Sequence, residues 1–242
     1  MQSFRSAIFF SLMVLSAVII AIPAVLTYPL PFDKRYAFIR LFARFNIWSL
    51  DKICNLKCVI KGKENIPKEA SVILCKHQST WETFALQIVF PPQIWVLKKA
   101  LLQVPFFGWG LAMLEPIAIN RSDKKQAMQQ IIDQGQERLN NGRWVVLFPE
   151  GTRIAPGVPT RFMSGGARLA EHSQKLVVPV AHNAGEFWPK HSFTKQAGII
   201  TISVLPAIDP KNKSATEINR LAQDAVEQEM QQITTLKRIS TE

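Results

Sequence analysis

The chain has 242 residues, 48% of them hydrophobic, and its 29 Lys and Arg residues exceed its 18 Asp and Glu residues, giving a formal net charge of +11. A basic, apolar chain of this length favours one sizeable domain with an anionic membrane surface or a phosphorylated substrate as its partner. The basic residues are dispersed and form no nucleic-acid-binding motif. Cys54, Cys58 and Cys75 form no CxxC pair, which argues against a disulfide framework and a zinc site.

The N-terminal residues have the composition of a membrane anchor. Residues 6–32 carry no charged side chain, and about 20 mostly apolar residues suffice to cross a bilayer. Pro23, Pro29 and Pro31 interrupt the second half of this stretch. Because proline inside a helix removes a hydrogen bond and kinks the axis, the pattern predicts an uninterrupted helix from Phe4 to Ile22, followed by a bend.

A second, amphipathic helix is predicted after the bend. In DKRYAFIRLFARFNIW, Phe38, Phe42 and Phe45 recur at helical spacing, with Arg40 and Arg44 on another side, a pattern typical of helices at a membrane interface. Residues 1–50 are therefore predicted to be an anchor, either a hairpin in one leaflet or one span plus a surface helix. A cleaved signal peptide and a soluble core helix are the alternatives, but AIPA is a poor cleavage site and a polar face is missing.

Residues 51–242 change to strands that alternate with helices, which predicts an α/β fold with a largely parallel central sheet flanked by helices. The predicted strands are LKCVIKG, SVILCKH, MLEPIAINR, RWVVLFPEG, LVVPVAHN and GIITISVLPAI, and QIWVLKKALL begins a further strand or helix. The predicted helices are TWETFALQIVF, stopped by Pro91 and Pro92; DKKQAMQQIIDQGQERLNNG, capped by Gly142; GGARLAEHSQ; and SATEINRLAQDAVEQEMQQI, opened by Ser214 and Glu217 at capping-box spacing.

His77 and Glu82 follow the apolar run SVIL and are the first candidates for chemistry. In open α/β sheets, ligands gather at the carboxyl ends of the strands. An imidazole can remove a hydroxyl proton, and a carboxylate on its other nitrogen fixes the tautomer and stabilises the imidazolium. Two simpler interpretations stay open here: Ser79 and Glu82 have the spacing of a capping box, and an acid follows His at this distance often by chance.

The stretch VVLFPEGTR is the second candidate, because a buried strand leads directly into Glu150 and a polar turn. Gly151 allows a tight turn, and Arg153 offers a rigid fork of donors that suits phosphate. Arg121 ends the strand IAINR, and Lys98 precedes the apolar segment ALLQVPFFGWG. For each basic residue alone, a solvated surface position is the commoner arrangement.

Four blocks in this order resemble the glycerophospholipid acyltransferases, in particular those that act on 1-acyl-glycerol 3-phosphate. The blocks are His77 to Glu82, AINR with Arg121, FPEGTR, and VVPVAHN with Pro179. FPEGTR is a full match and the most specific block. The chain departs from the family pattern at Glu82, where Asp is usual, and at Ala100, where Glu commonly follows the lysine pair. The resemblance covers about residues 60–205.

The resemblance implies transfer of an acyl group from acyl-CoA or acyl carrier protein to the sn-2 hydroxyl of lysophosphatidic acid, with His77 as general base and Glu82 orienting it. It implies no metal or bound cofactor, and a membrane-associated enzyme with its site on the cytoplasmic face, as on a bacterial inner membrane. The acceptor could instead be another lysolipid or glycerol 3-phosphate. A non-catalytic basic membrane-binding protein is an alternative function that stays open. A membrane esterase is disfavoured because the chain has no G-x-S-x-G motif. The implied substrate-binding residues are Lys98, Arg121, Glu150, Gly151, Thr152, Arg153 and Pro179.

Overall fold

The computed structural model describes residues 1–120 and 122–236 and contains a seven-stranded sheet. Its strands are β1 (Leu56–Lys61), β2 (Val72–Cys75), β3 (Gln93–Lys98), β4 (Ile117–Ile119), β5 (Trp144–Leu147), β6 (Val177–His182) and β7 (Gly198–Val204). The spatial order is β1-β7-β6-β2-β5-β3-β4. Neighbouring strands are parallel except for the antiparallel pair β6 and β7. The predicted largely parallel sheet is confirmed.

Helices flank this sheet in two groups. They are α1 (Gln2–Leu26), α2 (Phe32–Cys54), α3 (Trp81–Val89), α4 (Phe107–Ala112), α5 (Lys124–Asn140), α6 (Gly165–Ser173), α7 (Ala184–Phe187) and α8 (Ala215–Ile233), with 3-10 helices at Lys63–Asn65 and Lys99–Gln103. One group has α6 between α5 and α8, and the other has α1 packed on α2 and α4, with α2 against α3. Because helices cover the sheet, β2, β5 and β6 are buried along their whole length, as expected for continuous apolar strands.

Most of the predicted elements are confirmed, with two short additions. QIWVLKKALL is β3 followed by a 3-10 helix, and the predicted helices appear as α3, α5, α6 and α8. The Ser214 hydroxyl accepts the Glu217 N–H at 3.3 Å and so caps α8. Gly142 follows α5 with a φ of +74°, the left-handed conformation that ends many helices. The helices α4 and α7 are only one or two turns long and were not predicted.

The prediction that the first helix stops at Ile22 is wrong, because α1 continues through Pro23 to Leu26. Proline removes a single backbone donor. The last turn is still closed by the Thr27 N–H, which lies 3.2 Å from the Pro23 oxygen and 3.0 Å from that of Ala24, and Ala24 is fully buried. The bend falls at residues 27–31 instead, and α2 begins directly after Pro31.

One side of α1 belongs to the protein core, and the other side is exposed and apolar. The Phe9 ring lies edge-on to Trp188 at 5.6 Å, and the Ser6 hydroxyl accepts the Lys195 N–H at 2.9 Å. These contacts argue against a signal peptide that is removed. By length and composition, α1 could cross a membrane, and its outward side indicates membrane association. The exposed side chains include Phe4, Ile8, Leu15, Ile19, Ile22 and Leu26.

The predicted phenylalanine stripe of α2 faces the domain in part, which corrects its interpretation as a membrane-facing surface. Phe42 lies edge-on to Phe84 of α3 with ring centroids 5.5 Å apart, and Phe38 packs against the core. The Arg40 guanidinium donates to the Ile88 carbonyl at 3.0 Å. The reason is that α3 offers an apolar face that the sequence of α2 alone does not reveal.

Candidate active site

The two sequence stretches with candidate residues meet at one edge of the sheet. The strands β2 and β5 are parallel neighbours, with Leu74 opposite Leu147. His77 and Glu150 therefore follow adjacent strands at the same carboxyl edge, as predicted. The Ile154 N–H donates to the His77 carbonyl at 2.8 Å, which joins the two connecting loops beyond the strands.

His77 and Glu82 form a hydrogen-bonded pair. The distance from His77 Nδ1 to Glu82 Oε1 is 2.8 Å, and the Glu82 side chain is fully buried whereas that of His77 is 17% exposed. The imidazole stacks on the Phe148 ring, with centroids 3.9 Å apart and an angle of 14° between the planes. Because a carboxylate accepts from Nδ1–H, the neutral form of the ring has its free lone pair on Nε2, which can take a proton from a bound hydroxyl.

Glu82 also holds the backbone at the start of α3. Its Oε1 accepts the N–H groups of Gln78 at 2.9 Å and Ser79 at 2.8 Å. The capping contact and the pair with His77 are therefore made by one carboxylate and do not exclude each other. Burial alone would raise the pKa of Glu82, but favourable contacts that include the hydrogen bonds from His77 and the Ser79 N–H outweigh burial and lower it. The carboxylate thus stays ionised beside the imidazole.

Glu150 is directed into the protein and holds the backbone of His77. Its Oε2 accepts the His77 N–H at 2.7 Å, and its Oε1 lies 2.8 Å from the Lys76 ammonium. The same ammonium lies 2.9 Å from Glu227 of α8. Burial alone would lower the pKa of Lys76, but the charge of Glu150 and the hydrogen bonds to Glu150 and Glu227 together outweigh burial and raise it. The cation is therefore retained at neutral pH.

The turn after Glu150 brings Arg153 beside the start of α3. Gly151 has a φ of +70°, and its N–H donates to the Phe148 carbonyl at 3.0 Å. This confirms that a tight turn requires glycine here. Arg153 Nη1 donates to the Thr80 hydroxyl at 2.9 Å. Thr152 is exposed, and its hydroxyl accepts from Lys190 at 3.2 Å.

A cavity of about 290 Å³ opens beside His77. His77, Lys98 and Arg153 all line it, so the structure brings these three predicted residues together. Most of the other residues that line the cavity are apolar, and they come both from residues 1–50 and from residues 51–242. It includes Ala17, Ile20 and Ala21 of α1, Ile39 and Phe42 of α2, Phe84 of α3, Trp95 of β3, and Phe106, Phe107, Gly110, Leu111 and Leu114 around α4.

Several predicted residues within the described part of the chain do not line this cavity: Glu82, Glu150, Gly151, Thr152 and Pro179. Pro179 is buried in the middle of β6, opposite Leu74, and is not among the described residues that line the cavity. Arg121 lies outside the described residues. Within residues 1–120 and 122–236, no group of three or more His, Cys, Asp or Glu residues could hold a metal ion.

Lys76, Phe148 and His182 belong to this site but were not predicted from the sequence. His182 is fully buried, its Nε2 donates to the Lys76 carbonyl at 2.8 Å, and its Nδ1 accepts the Ala184 N–H at 3.2 Å. Burial lowers the pKa of His182 and keeps it neutral. The signal for Lys76 was a charged residue directly after the wholly apolar strand VILC. For His182 the sequence offered no sign beyond its position at a strand end.

Comparison with known proteins identifies relatives along nearly the whole chain. A family model described as Acyltransferase matches residues 57–183. The 1-acyl-sn-glycerol-3-phosphate acyltransferase of Pseudomonas aeruginosa is 42% identical over 98% of this chain and 94% of its own length. The protein of the same name from Saccharomyces cerevisiae is 31% identical over 74% of this chain and 60% of its own length. The crystal structure of the lysophosphatidic acid acyltransferase PlsC from Thermotoga maritima, 20% identical, has a TM-score of 0.82 over 98% of this chain and 97% of that chain, which shows a shared fold.

Proposed function

Because the chain belongs to the acyltransferase family, as its four sequence blocks predicted, we propose that it acylates the sn-2 hydroxyl of lysophosphatidic acid to give phosphatidic acid. The names of the relatives from P. aeruginosa and S. cerevisiae support this acceptor. The observation that carries the proposal is the His77–Glu82 pair, joined at 2.8 Å beside an apolar cavity. A base next to a space for a hydrocarbon chain is what acyl transfer to a lipid hydroxyl needs.

In the proposed reaction, His77 is the general base and Glu82 orients it. As the acceptor oxygen attacks the thioester carbonyl, His77 Nε2 takes the hydroxyl proton. The buried Glu82 carboxylate holds Nδ1–H and stabilises the imidazolium that forms. The tetrahedral intermediate then expels the thiolate, which receives the proton from Nε2. The enzyme forms no covalent bond to the acyl group.

Arg153 and Lys98 are proposed to bind the acceptor phosphate. Both line the cavity that contains His77, and a guanidinium pairs with phosphate through two parallel hydrogen bonds. Arg121 stays a prediction for the same role. Both carboxylate oxygens of Glu150 are occupied by Lys76 and His77, which supports a positioning role for Glu150.

The other predicted substrate-binding residues differ in how the fold supports them. Gly151 supplies the turn that places Arg153, and the exposed hydroxyl of Thr152 lies at the surface beside Lys190. Pro179 lies within the sheet. Its position does not support a contact with the substrate, which stays a prediction. That the reaction requires neither a metal ion nor a bound cofactor also stays a prediction.

The cavity is proposed to hold the fatty acyl chain. Its walls combine apolar residues of α1, α2 and α4 with Trp95 and Phe84 of the domain, and burial of a hydrocarbon chain there is favourable by roughly 0.8 kcal/mol per methylene group. The thioester donor is acyl-CoA or acyl carrier protein. The net charge of +11 favours either of these anionic donors and an anionic membrane surface.

We further propose that α1 lies along one leaflet of the membrane, on the cytoplasmic face. Phe9 with Trp188 and Ser6 with Lys195 hold α1 against the domain, and Ser16 lies 3.5 Å from Asn46 of α2. A helix that crossed the bilayer would have to give up these contacts. The side opposite the domain is apolar, as an interfacial helix requires.

The experiment is acyl transfer by detergent-purified protein from a labelled acyl thioester to lysophosphatidic acid, glycerol 3-phosphate and lysophosphatidylcholine, with His77→Ala beside the wild type. We expect transfer to lysophosphatidic acid at the highest kcat/KM and a loss of at least a thousandfold in the variant. Preference for another acceptor would refute the substrate assignment alone. Near wild-type activity of His77→Ala would refute the mechanism.

A further inference from the structure

Lys76, the residue before His77, is fixed at both ends by contacts that converge on the active site. Its side chain is only 4% exposed, and its ammonium lies between Glu150 at 2.8 Å and Glu227 at 2.9 Å. Its carbonyl accepts from the buried His182 at 2.8 Å. A lysine this deeply buried is uncommon unless it is paired, and here its first partner is the carboxylate that also binds the His77 N–H.

The geometry points to Lys76 as a positioning residue for acyl transfer. We infer that its cation pairs with the buried Glu150 carboxylate and fixes its orientation, so that Glu150 Oε2 holds the His77 backbone at 2.7 Å. Glu82 then orients the imidazole ring, while the Lys76–Glu150 pair orients the backbone that carries it. This inference rests on His77 being the general base of the proposed function.

Loss of Lys76 would leave Glu150 as a buried charge without a counterion. The Glu150 side chain is fully buried, so its ionised form would be strongly disfavoured. Rotation of the Glu150 carboxylate toward water would release the His77 N–H. The Glu227 side chain is 37% exposed, so water still solvates its charge when Lys76 is removed. The loss of activity is therefore expected to arise through Glu150.

A double-mutant cycle on kcat separates this role from general stability. We expect Lys76→Met to lower kcat at least tenfold, with KM for lysophosphatidic acid within twofold of wild type. In a Glu150→Gln background the same change should lower kcat less than threefold, because no buried charge is then left unpaired. Arg220→Met is the matched control, since it removes a cation from the exposed Arg220–Asp224 pair of α8 and should leave kcat unchanged.

Several outcomes would overturn the inference. One is an unchanged kcat in Lys76→Met; another is an equal loss in both backgrounds. If Lys76→Met fails to fold, the test moves to the double variant Lys76→Met/Glu150→Gln. This variant must fold, and its kcat must lie within threefold of that of Glu150→Gln. An unfolded or inactive double variant refutes the inference. His77→Ala distinguishes the two proposals: near wild-type activity in that variant refutes the proposed role of His77 as base, whereas an inactive His77→Ala with a fully active Lys76→Met refutes this inference alone.

Discussion

Replacing Glu82 by Gln tests whether its charge, and not merely its shape, serves the reaction. Gln can still accept the N–H groups of Gln78 and Ser79, which Glu82 Oε1 binds at 2.9 and 2.8 Å. It cannot stabilise a positive charge on His77. For two charge centres about 4 Å apart at an effective dielectric constant of about 20, the lost attraction is about 4 kcal/mol. This corresponds to a decrease of about a thousandfold in kcat.

The assay is kcat for acyl transfer to lysophosphatidic acid, measured beside the thermal midpoint of each variant. Glu82→Asp is the matched control, because it keeps the charge but shortens the side chain by about 1.5 Å. The present hydrogen bond to His77 is 2.8 Å long, so Asp is expected to lose about tenfold, far less than Gln. A Glu82→Gln enzyme with more than a third of wild-type kcat would show that Glu82 only caps α3.

Three further predictions concern the cavity, the turn and acid stability. Gly110 lines the cavity, and a Cβ there would meet no atom within 4 Å, so Gly110→Leu should lower kcat/KM for palmitoyl donors at least tenfold more than for octanoyl donors; equal losses would contradict a chain-binding cavity. Because Gly151 has a φ of +70°, Gly151→Ala should cost about 1–2 kcal/mol of unfolding free energy, measured by denaturant titration, and Gly151→Asn should cost less. Burial would raise the pKa of Glu115, but the hydrogen bond from Arg35 and the charge of Arg143 lower it below its ordinary value of 4.5. Its stabilising effect is therefore full above about pH 4.5 and lost as the pH falls through the lowered value. Glu115→Gln should lower the thermal midpoint at pH 7, and the difference should shrink as the pH falls below 4.5; a constant difference would contradict this origin.

The sheet and its catalytic edge were predictable because they depend on local patterns. The runs VILC and WVVL are apolar at every position, as strands buried on both faces require. The polar residues that follow such runs fall at one edge when the strands are parallel. His77 and Glu150 were therefore predicted at a common edge, and the structure places both there.

Features that depend on tertiary neighbours were not predictable in the same way. The helix α1 passes Pro23 because Ala24 is buried beyond it, and Phe42 faces inward because Phe84 lies opposite. The role of Lys76 depends on Glu150 and on Glu227, which is more than 70 positions further along the chain than Glu150. Sequence spacing carries no information about such distant pairs, whereas His77 and Glu82 lie within one loop and the first turn of a helix.

The predicted boundary near residue 50 rests on a change in composition. The helix α1 lies on the anchor side of this boundary but also lines the cavity of the domain. Ile20 and Ala21 line the cavity, whereas Ile19 and Ile22 are exposed on the opposite side of the same helix. A single helix thus separates the proposed acyl chain from the proposed membrane surface. Removing α1 would open the cavity to solvent and expose the apolar wall around Phe42 and Phe84. The residues with the composition of an anchor therefore form part of the cavity wall, and the proposed lipid surface would lie one helix diameter, about 10 Å, from the proposed acyl chain.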